Sequence, residues 1–131
     1  MDQTKEIISI EDIKKLVDTF YDKVKEDELL GPIFDERIGD RWPQHLQKMY
    51  SFWQTILLGE HTYFGTPFPP HANLPVTGEH FQQWMKLFKE TLDENFRGEN
   101  AQEAKFRAAK MAQMFESKIA YYRNRGSGGL V

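Results

Sequence analysis

The sequence predicts an all-α protein, and three observations carry that prediction. Apolar residues recur every three or four positions along four segments, which is the spacing of one face of an amphipathic helix. No segment shows the sustained apolar and polar alternation of a half-buried strand. Between the second and third helical segments, residues 67–75 hold four prolines around one histidine, His71. Prolines lack a backbone N–H and restrict the preceding residue, so this connector is too broken for a long helix.

Length and composition indicate a single domain spanning residues 1–131, large enough to bury one core. The mean hydropathy of -0.64 suits a soluble protein, and no apolar run reaches the length of a membrane span. The polar N-terminus does not resemble a signal peptide. The absence of cysteine excludes disulfides and thiolate chemistry and is consistent with the cytoplasm. A net charge of -3 argues against nucleic acid as a partner.

The first helix is predicted to begin after Ser9, because serine is a favoured N-cap and Asp12 follows at the capping-box position. Residues 1–8 are predicted to be a loose leader. Gly31-Pro32 is a strong breaker, with a short helical piece predicted at 29–38. The inward stripe of the first helix comprises Ile10, Ile13, Leu16, Val17, Phe20, Tyr21 and Val24.

The second helix is predicted to be capped by Asp40, to hold Pro43 in its first turn and to end at Gly59. Its inward face comprises His45, Met49, Phe52, Trp53, Ile56 and Leu57. A histidine therefore points toward the core near the start of this helix.

The third helix is predicted to open at Thr77 or Gly78, and the fourth to be capped by Asn100 with Glu103. Residues 126–131 are predicted to form a flexible tail. The inward face of the third helix comprises Phe81, Trp84, Met85, Phe88 and Leu92. That of the fourth comprises Phe106, Ala109, Ala112, Phe115, Ile119 and Tyr122.

Six fragments in this order resemble the group III truncated haemoglobins, and the resemblance runs over residues 9–123. The glycine-pair motifs that mark other truncated haemoglobins are absent, which suits group III. Each fragment alone is weak, but six in register are specific. They are Phe20-Tyr21, Leu30-Gly31-Pro32-Ile33-Phe34, His45…Met49…Trp53, Leu57-Leu58-Gly59-Glu60, His71-Ala72-Asn73-Leu74-Pro75 and Trp84…Leu87-Phe88.

The resemblance implies a truncated globin fold, in which helices pack two-over-two around a haem b. It assigns His71 as the proximal iron ligand and Phe34 as a phenylalanine packed against the haem. Tyr21 and Trp84 match the polar aromatics of the distal pocket, and His45 matches a distal histidine. A small acidic globin of this kind is expected to be a monomer.

The residue types make chemical sense, although each has a plainer alternative. Taken alone, His71 is more often an ordinary loop histidine, and only the family resemblance reverses that interpretation. Tyr21 taken alone is a core aromatic. Its occurrence with Trp84, another inward-facing hydrogen-bond donor, favours a role in binding a gas ligand that becomes negatively charged. Two such donors predict tight O₂ binding and slow release.

The remaining candidates lie along the second helix. His45 donates to the ligand, gates the site from solvent or caps the helix, and gating is favoured because two donors already face the ligand. Met49 is an apolar wall over the haem. Trp53 is assigned first to the core and second to the haem contacts. Lys48 pairs with a haem propionate or is a solvated surface lysine.

His61 and His80 are interpreted as surface residues outside the site. No two of the four histidines lie at i and i+4, and no cysteine is present, so a zinc site has little support. No nucleophile elbow, phosphate loop or basic aromatic patch appears either.

Two functions from different classes follow. The first is a haem protein that binds O₂, NO, CO or peroxide and carries out NO or peroxide chemistry rather than oxygen transport. Catalysis by it stays an open question and needs an external reductase or reductant. The alternative is a haem-free helical module that binds a partner through its aromatic face.

Overall fold

The computed structural model describes residues 4–63 and 76–127, with 122–127 described by backbone alone. Within these ranges all regular structure is helical, apart from one isolated parallel bridge between Lys5 and Phe96. The all-α prediction is therefore confirmed. The helices are α1 (Ile10–Glu26), α2 (Gly31–Ile38), α3 (Trp42–Leu58), α4 (Gly78–Asn95) and α5 (Glu99–Ser127), with a 3₁₀ turn at Gly39–Arg41 between α2 and α3.

The core lies where α1 meets its neighbours. Helix α1 packs on α3 and on α4, α4 packs on α5, and the short α2 lies against α1. Phe20 of α1 and Phe88 of α4 are almost fully buried at this junction. These contacts place α1, α3, α4 and α5 around one apolar centre. None of the helices in the described ranges combines the length and apolar content that a membrane crossing requires.

Ser9 caps α1 as predicted, although the Asp12 carboxylate accepts from Ile8 N rather than from Ser9 N. Ser9 is extended, and its Oγ accepts a hydrogen bond from Asp12 N at 3.3 Å. The Asp12 carboxylate in turn accepts from Ile8 N at 3.0 Å, from Ser9 Oγ at 3.2 Å and from Lys5 Nζ at 3.0 Å. Burial alone would raise the pKa of Asp12, but these hydrogen bonds and the lysine charge hold that pKa below its ordinary value of 3.8.

Acid is expected to destabilise the protein through Asp12. Because its folded pKa is depressed, its stabilising contribution is fully present above the ordinary pKa of 3.8 and is lost as the pH falls through the folded value. Asp12→Asn should lower the free energy of unfolding at pH 7 by about 1–3 kcal/mol. It should also flatten the loss of stability between neutral and strongly acidic pH in urea titrations. Asp22→Asn, at an exposed position of the same helix, should show neither effect.

The segment predicted to be a loose leader is packed wherever the structure describes it. Ile7 is fully buried. Lys5 N donates to Asn95 O at 3.4 Å, and Lys5 O accepts from Arg97 N at 2.9 Å. The carboxylate of Glu6 accepts from Glu99 N at 2.9 Å and from Asn100 N at 3.0 Å. The prediction failed because it considered local sequence, whereas these contacts cross more than ninety positions. Residues 1–3 lie outside the described ranges.

The predicted cap of the last helix is wrong for the same reason. Asn100 lies within the first turn of α5, and its Nδ2 donates to Ile7 O at 2.7 Å instead of capping. Glu6 supplies the acceptors that the first N–H groups of the helix need. Gly98 makes room for it, since a Cβ at that position would lie 2.3 Å from Glu6 Oε2 and the backbone has a φ of 99°.

Two further expectations are corrected. Asp40 lies inside the 3₁₀ turn, and α3 follows Arg41 with no side-chain cap, because α2 runs into α3 without an extended residue between them. Pro43 and Gly59 occupy the first turn and the left-handed end of α3, as predicted.

The inner face of α5 is also rotated, since Phe106 is 53% exposed. The residues buried along the first half of α5 are Ala101, Ala104 and Ala108, which allow close helix packing, and Phe115 and Ile119 are buried as predicted.

The end of α5 also differs from expectation. The helix continues through Ser127, two residues into the predicted tail at 126–131. The side chain of Tyr122 and residues 128–131 lie outside the described part of the chain.

Candidate functional site

A cleft opens among all five helices, with an empty volume of about 870 Å³ including its open mouth. The lining is almost entirely aromatic and aliphatic. Five of the residues predicted from sequence lie on it: Tyr21, Phe34, Met49, Trp53 and Trp84.

One aromatic cluster fixes the positions of Tyr21 and Trp84. The ring of Phe20 meets Tyr21 edge-on at 4.9 Å between centroids and Trp84 edge-on at 5.2 Å. Behind them Phe88 stacks on Trp84 at 5.3 Å and on Trp53 at 5.2 Å. Because interlocked rings leave little rotational freedom, the two polar aromatics are held in place before any ligand arrives.

The polar groups of these two residues are hydrogen-bond donors without a protein acceptor in the described ranges. Tyr21 is buried, and burial raises the pKa of its hydroxyl, so it is a neutral phenol whose O–H can donate. Neither Tyr21 O–H nor Trp84 Nε1–H donates to a described residue. An indole N–H is a donor only, and a donor at a cleft wall is satisfied by water or by a ligand that accepts a hydrogen bond. The cleft therefore suits a ligand that accepts hydrogen bonds.

His45 lies beside Tyr21 rather than on the lining of the cleft. Its ring meets the Tyr21 ring edge-on at 5.1 Å, and Trp42 contacts both rings at 5.6 and 5.7 Å. The Nζ of Lys25 lies over the Trp42 ring at 4.4 Å. His45 is half-buried and supports Tyr21 from the side of α3, so it belongs to the surroundings of the site.

The apolar candidates lie on the cleft wall, whereas Lys48 does not. Phe34 and Met49 are half-buried on the cleft wall, with Phe34 at 6.1 Å from the Tyr21 ring. Trp53 is buried in the core and also lies on the cleft wall, while its assignment to the haem contacts stays a prediction. Lys48 is exposed and is not part of the lining, which fits its alternative as a solvated surface residue.

The predicted iron ligand, His71, lies outside the described residues, as does the rest of the segment 64–75. The chain re-enters the described part at Val76, which is buried and lies on the cleft wall. Among the described residues, no group of three His, Cys, Asp or Glu side chains is arranged to hold a metal ion.

His80 was assigned to the surface from the sequence, and that assignment is wrong. Its ring is half-buried and lines the cleft. Thr77 caps α4, and the His80 side chain completes a capping box, with Nδ1 accepting from Thr77 N at 3.0 Å. The spacing of threonine and a polar acceptor three residues later was a usable signal, although glutamate or glutamine is the commoner partner. His61 is exposed, as expected.

Sequence comparison places this all-α molecule with its aromatic cleft in a known class. The family model described as bacterial-like globin matches residues 6–119. The chain belongs to the bacterial-like globins and, within them, to the group III truncated haemoglobins. It is similar to group 3 truncated haemoglobin ctb of Campylobacter jejuni, with 39% identity over 121 residues that cover 89% of this chain and 95% of that protein.

The three-dimensional comparison agrees. A crystal structure of group III truncated haemoglobin from Campylobacter jejuni superimposes with a TM-score of 0.80 and 38% identity, covering 88% of this chain and 94% of that one. The predicted truncated globin fold is thereby confirmed. Membership of this family identifies the chain as a haem globin that binds a small gaseous ligand.

The residues of the cleft fit a haem. A porphyrin is a large, flat, mostly apolar ring, and the cleft offers the flat faces of aromatic side chains and the flexible Met49. Tyr21 and Trp84 add hydrogen-bond donors to this mostly apolar lining.

Proposed function

We propose that the cleft holds haem b and that the protein binds O₂ with its release slowed by Tyr21 and Trp84. The observation that carries the proposal is the pair of positioned donors, Tyr21 and Trp84, in a cleft whose lining is mostly aromatic and aliphatic. The proposed proximal ligand is His71, which the resemblance to the family assigns. The proposed physiological role is NO or peroxide chemistry rather than oxygen transport, because slow release is unsuited to delivery.

Haem iron held by one imidazole supplies an open coordination position for a diatomic gas. The residues of the chain then decide how that gas is held. Tyr21 O–H and Trp84 N–H donate to a ligand that carries negative charge, and the mostly apolar lining of the cleft strengthens both hydrogen bonds. Phe34 and Met49 keep water away from the same space. His45, beside Tyr21, is proposed to control solvent access.

Two properties of the group follow from the proposal. A proximal His71 would bind through Nε2 and use Nδ1–H as a donor to a carbonyl or carboxylate that fixes the ring orientation. Repeated turnover with NO or peroxide would need an external reductase or other reductant. We take the protein to act as a monomer in the cytoplasm.

Absorbance tests the proposal against the haem-free alternative. The purified protein, or the protein titrated with haemin, is expected to show a Soret band that saturates at one haem per chain. A protein with no such band, even after haemin is added, would exclude the haem function. It would favour the partner-binding module, although the aromatics line a cleft rather than an open face.

The chemistry of the loaded protein is tested by mixing its oxygenated form with NO in a stopped-flow instrument and, separately, by following peroxide turnover with a reductant. Rapid conversion to nitrate supports NO dioxygenation. Rapid peroxide consumption supports peroxidase-like activity. Failure of both reactions would contradict the proposed physiological role while leaving haem binding intact.

A further inference from the structure

His80 has a fixed arrangement of its ring proton. Its Nδ1 accepts a hydrogen bond from Thr77 N at 3.0 Å and lies 3.1 Å from Thr77 Oγ1. A backbone N–H is always a donor, so Nδ1 must present its lone pair. The proton of the neutral imidazole is therefore on Nε2, an assignment that follows from the hydrogen bond rather than from a visible hydrogen.

This tautomer is unsuited to binding iron. A histidine that binds iron through Nε2 carries its proton on Nδ1, which donates to a carbonyl or carboxylate. The capping box of α4 requires the opposite arrangement. His80 lies on the cleft wall, yet the cap keeps its Nε2 a hydrogen-bond donor. No described residue accepts a hydrogen bond from that nitrogen.

The surroundings of His80 indicate which acceptor the donor suits. The ring is half-buried in the first turn of α4, the positive end of the helix dipole, whereas Tyr21 is buried within the aromatic cluster. Two carboxylates already belong to this region: Glu79 is exposed, and Glu116 Oε2 would lie 2.7 Å from a Cβ on Gly78. These two negative charges largely offset the attraction of the start of α4 for an anion. A further anion therefore needs a hydrogen-bond donor that points at it.

We propose that His80 Nε2–H binds a carboxylate of the cofactor, a haem propionate, and so fixes the haem in the cleft. The inference rests on the proposed haem function. It gives the propionate contact to a residue on the cleft wall, in place of the exposed Lys48.

The test uses two substitutions that keep the capping box. His80→Gln retains an acceptor for Thr77 N and a donor toward the cleft, because glutamine is a regular partner in this motif. His80→Glu retains the acceptor but places a carboxylate where the donor was. Gln82→Glu adds the same charge at an exposed position on the same helix and serves as the matched control.

Haem loss is measured by transfer from the ferric protein to excess apomyoglobin. We expect His80→Glu to lose haem roughly tenfold faster than the unaltered protein, since a hydrogen bond to a charged group is replaced by repulsion. His80→Gln should stay within about twofold of the unaltered rate, as expected when a charged acceptor keeps a donor. Gln82→Glu should leave the rate unchanged. Equal rates for all four proteins would overturn the inference.

The dimethyl ester of haemin separates the propionate from other causes. With both propionates esterified, the difference between His80→Glu and the unaltered protein should largely disappear. A difference that persists with the ester would mean that His80 acts through the fold, and the inference would be wrong.

A measurement on the unaltered protein covers the case in which a variant fails to fold. Nitrogen-15 NMR of the ring of His80 in the diamagnetic carbon monoxide complex should show Nε2 protonated and Nδ1 bare. A proton on Nδ1 would contradict the inference. An unaltered protein without a Soret band would instead remove the proposed haem function, and this inference with it. If the protein binds haem but the His80 substitutions leave the rate of haem loss unchanged, this inference alone is removed.

Discussion

Replacing Tyr21 with phenylalanine is expected to raise the O₂ dissociation rate by about tenfold or more, and Trp84→Phe should have a comparable effect. Each substitution removes one donor from a charged acceptor, an interaction of about 1.5–3 kcal/mol. The neighbouring rings Phe20 and Phe88 remain in place in both variants. Tyr21→Phe removes only the hydroxyl, whereas Trp84→Phe also replaces the indole with a smaller ring. Dissociation is followed by stopped-flow displacement of O₂ with carbon monoxide.

Two comparisons separate this effect from a general disturbance. Carbon monoxide takes on little charge when it binds, so its own dissociation rate should change far less than that of O₂. Tyr63→Phe makes the same chemical change at a residue that contacts Phe52 and does not line the cleft, and it should leave O₂ release unaltered. If O₂ left both cleft variants at the original rate, the assignment of Tyr21 and Trp84 as ligand donors would be abandoned.

Replacing His71 with glycine is expected to weaken haem retention severely, because the bond proposed to hold the iron on the protein side is removed. Free imidazole should restore a five-coordinate spectrum by taking the vacated place. The measurement is the Soret absorbance of the purified variant and its haem loss rate, each with and without imidazole. His61→Gly, at an exposed histidine ahead of the segment 64–75, is the control and should behave as the original protein does. Full retention with an unaltered spectrum in His71→Gly would exclude the proximal role.

The helices of this fold could be predicted where the determining contacts are local. The cap of Ser9 with Asp12 and the stripe of α1 depend on residues within one or two turns, and the structure reproduces them. The start of α5 depends on Glu6, which is remote in sequence and was assigned to a loose segment. Helix periodicity predicted α5 to within two residues of its end but not its rotation, because alanines and not Phe106 form its close contacts.

Most of the described cleft residues singled out from the sequence were predicted correctly, but His80 was missed. The inward faces of α1, α3 and α4 put Tyr21, Met49 and Trp84 on one cleft, and the family resemblance supplied the reason to group them. His80 was missed because its side chain was taken as solvated, whereas the capping box folds the ring back along the helix and onto the cleft wall. The role of His71 stays a prediction from the sequence.

The Glu6 contact with α5 has a consequence for the order of folding. A pairing between residue 6 and residues 99 and 100 is among the most distant in the chain, and such contacts form late because a long loop must close first. Helix α5 also supplies Met111 and Phe115 to the cleft wall. The cleft wall is thus completed only after the segment around Glu6 has met α5, and we expect the proposed haem to be retained firmly only once α5 has been synthesised and packed.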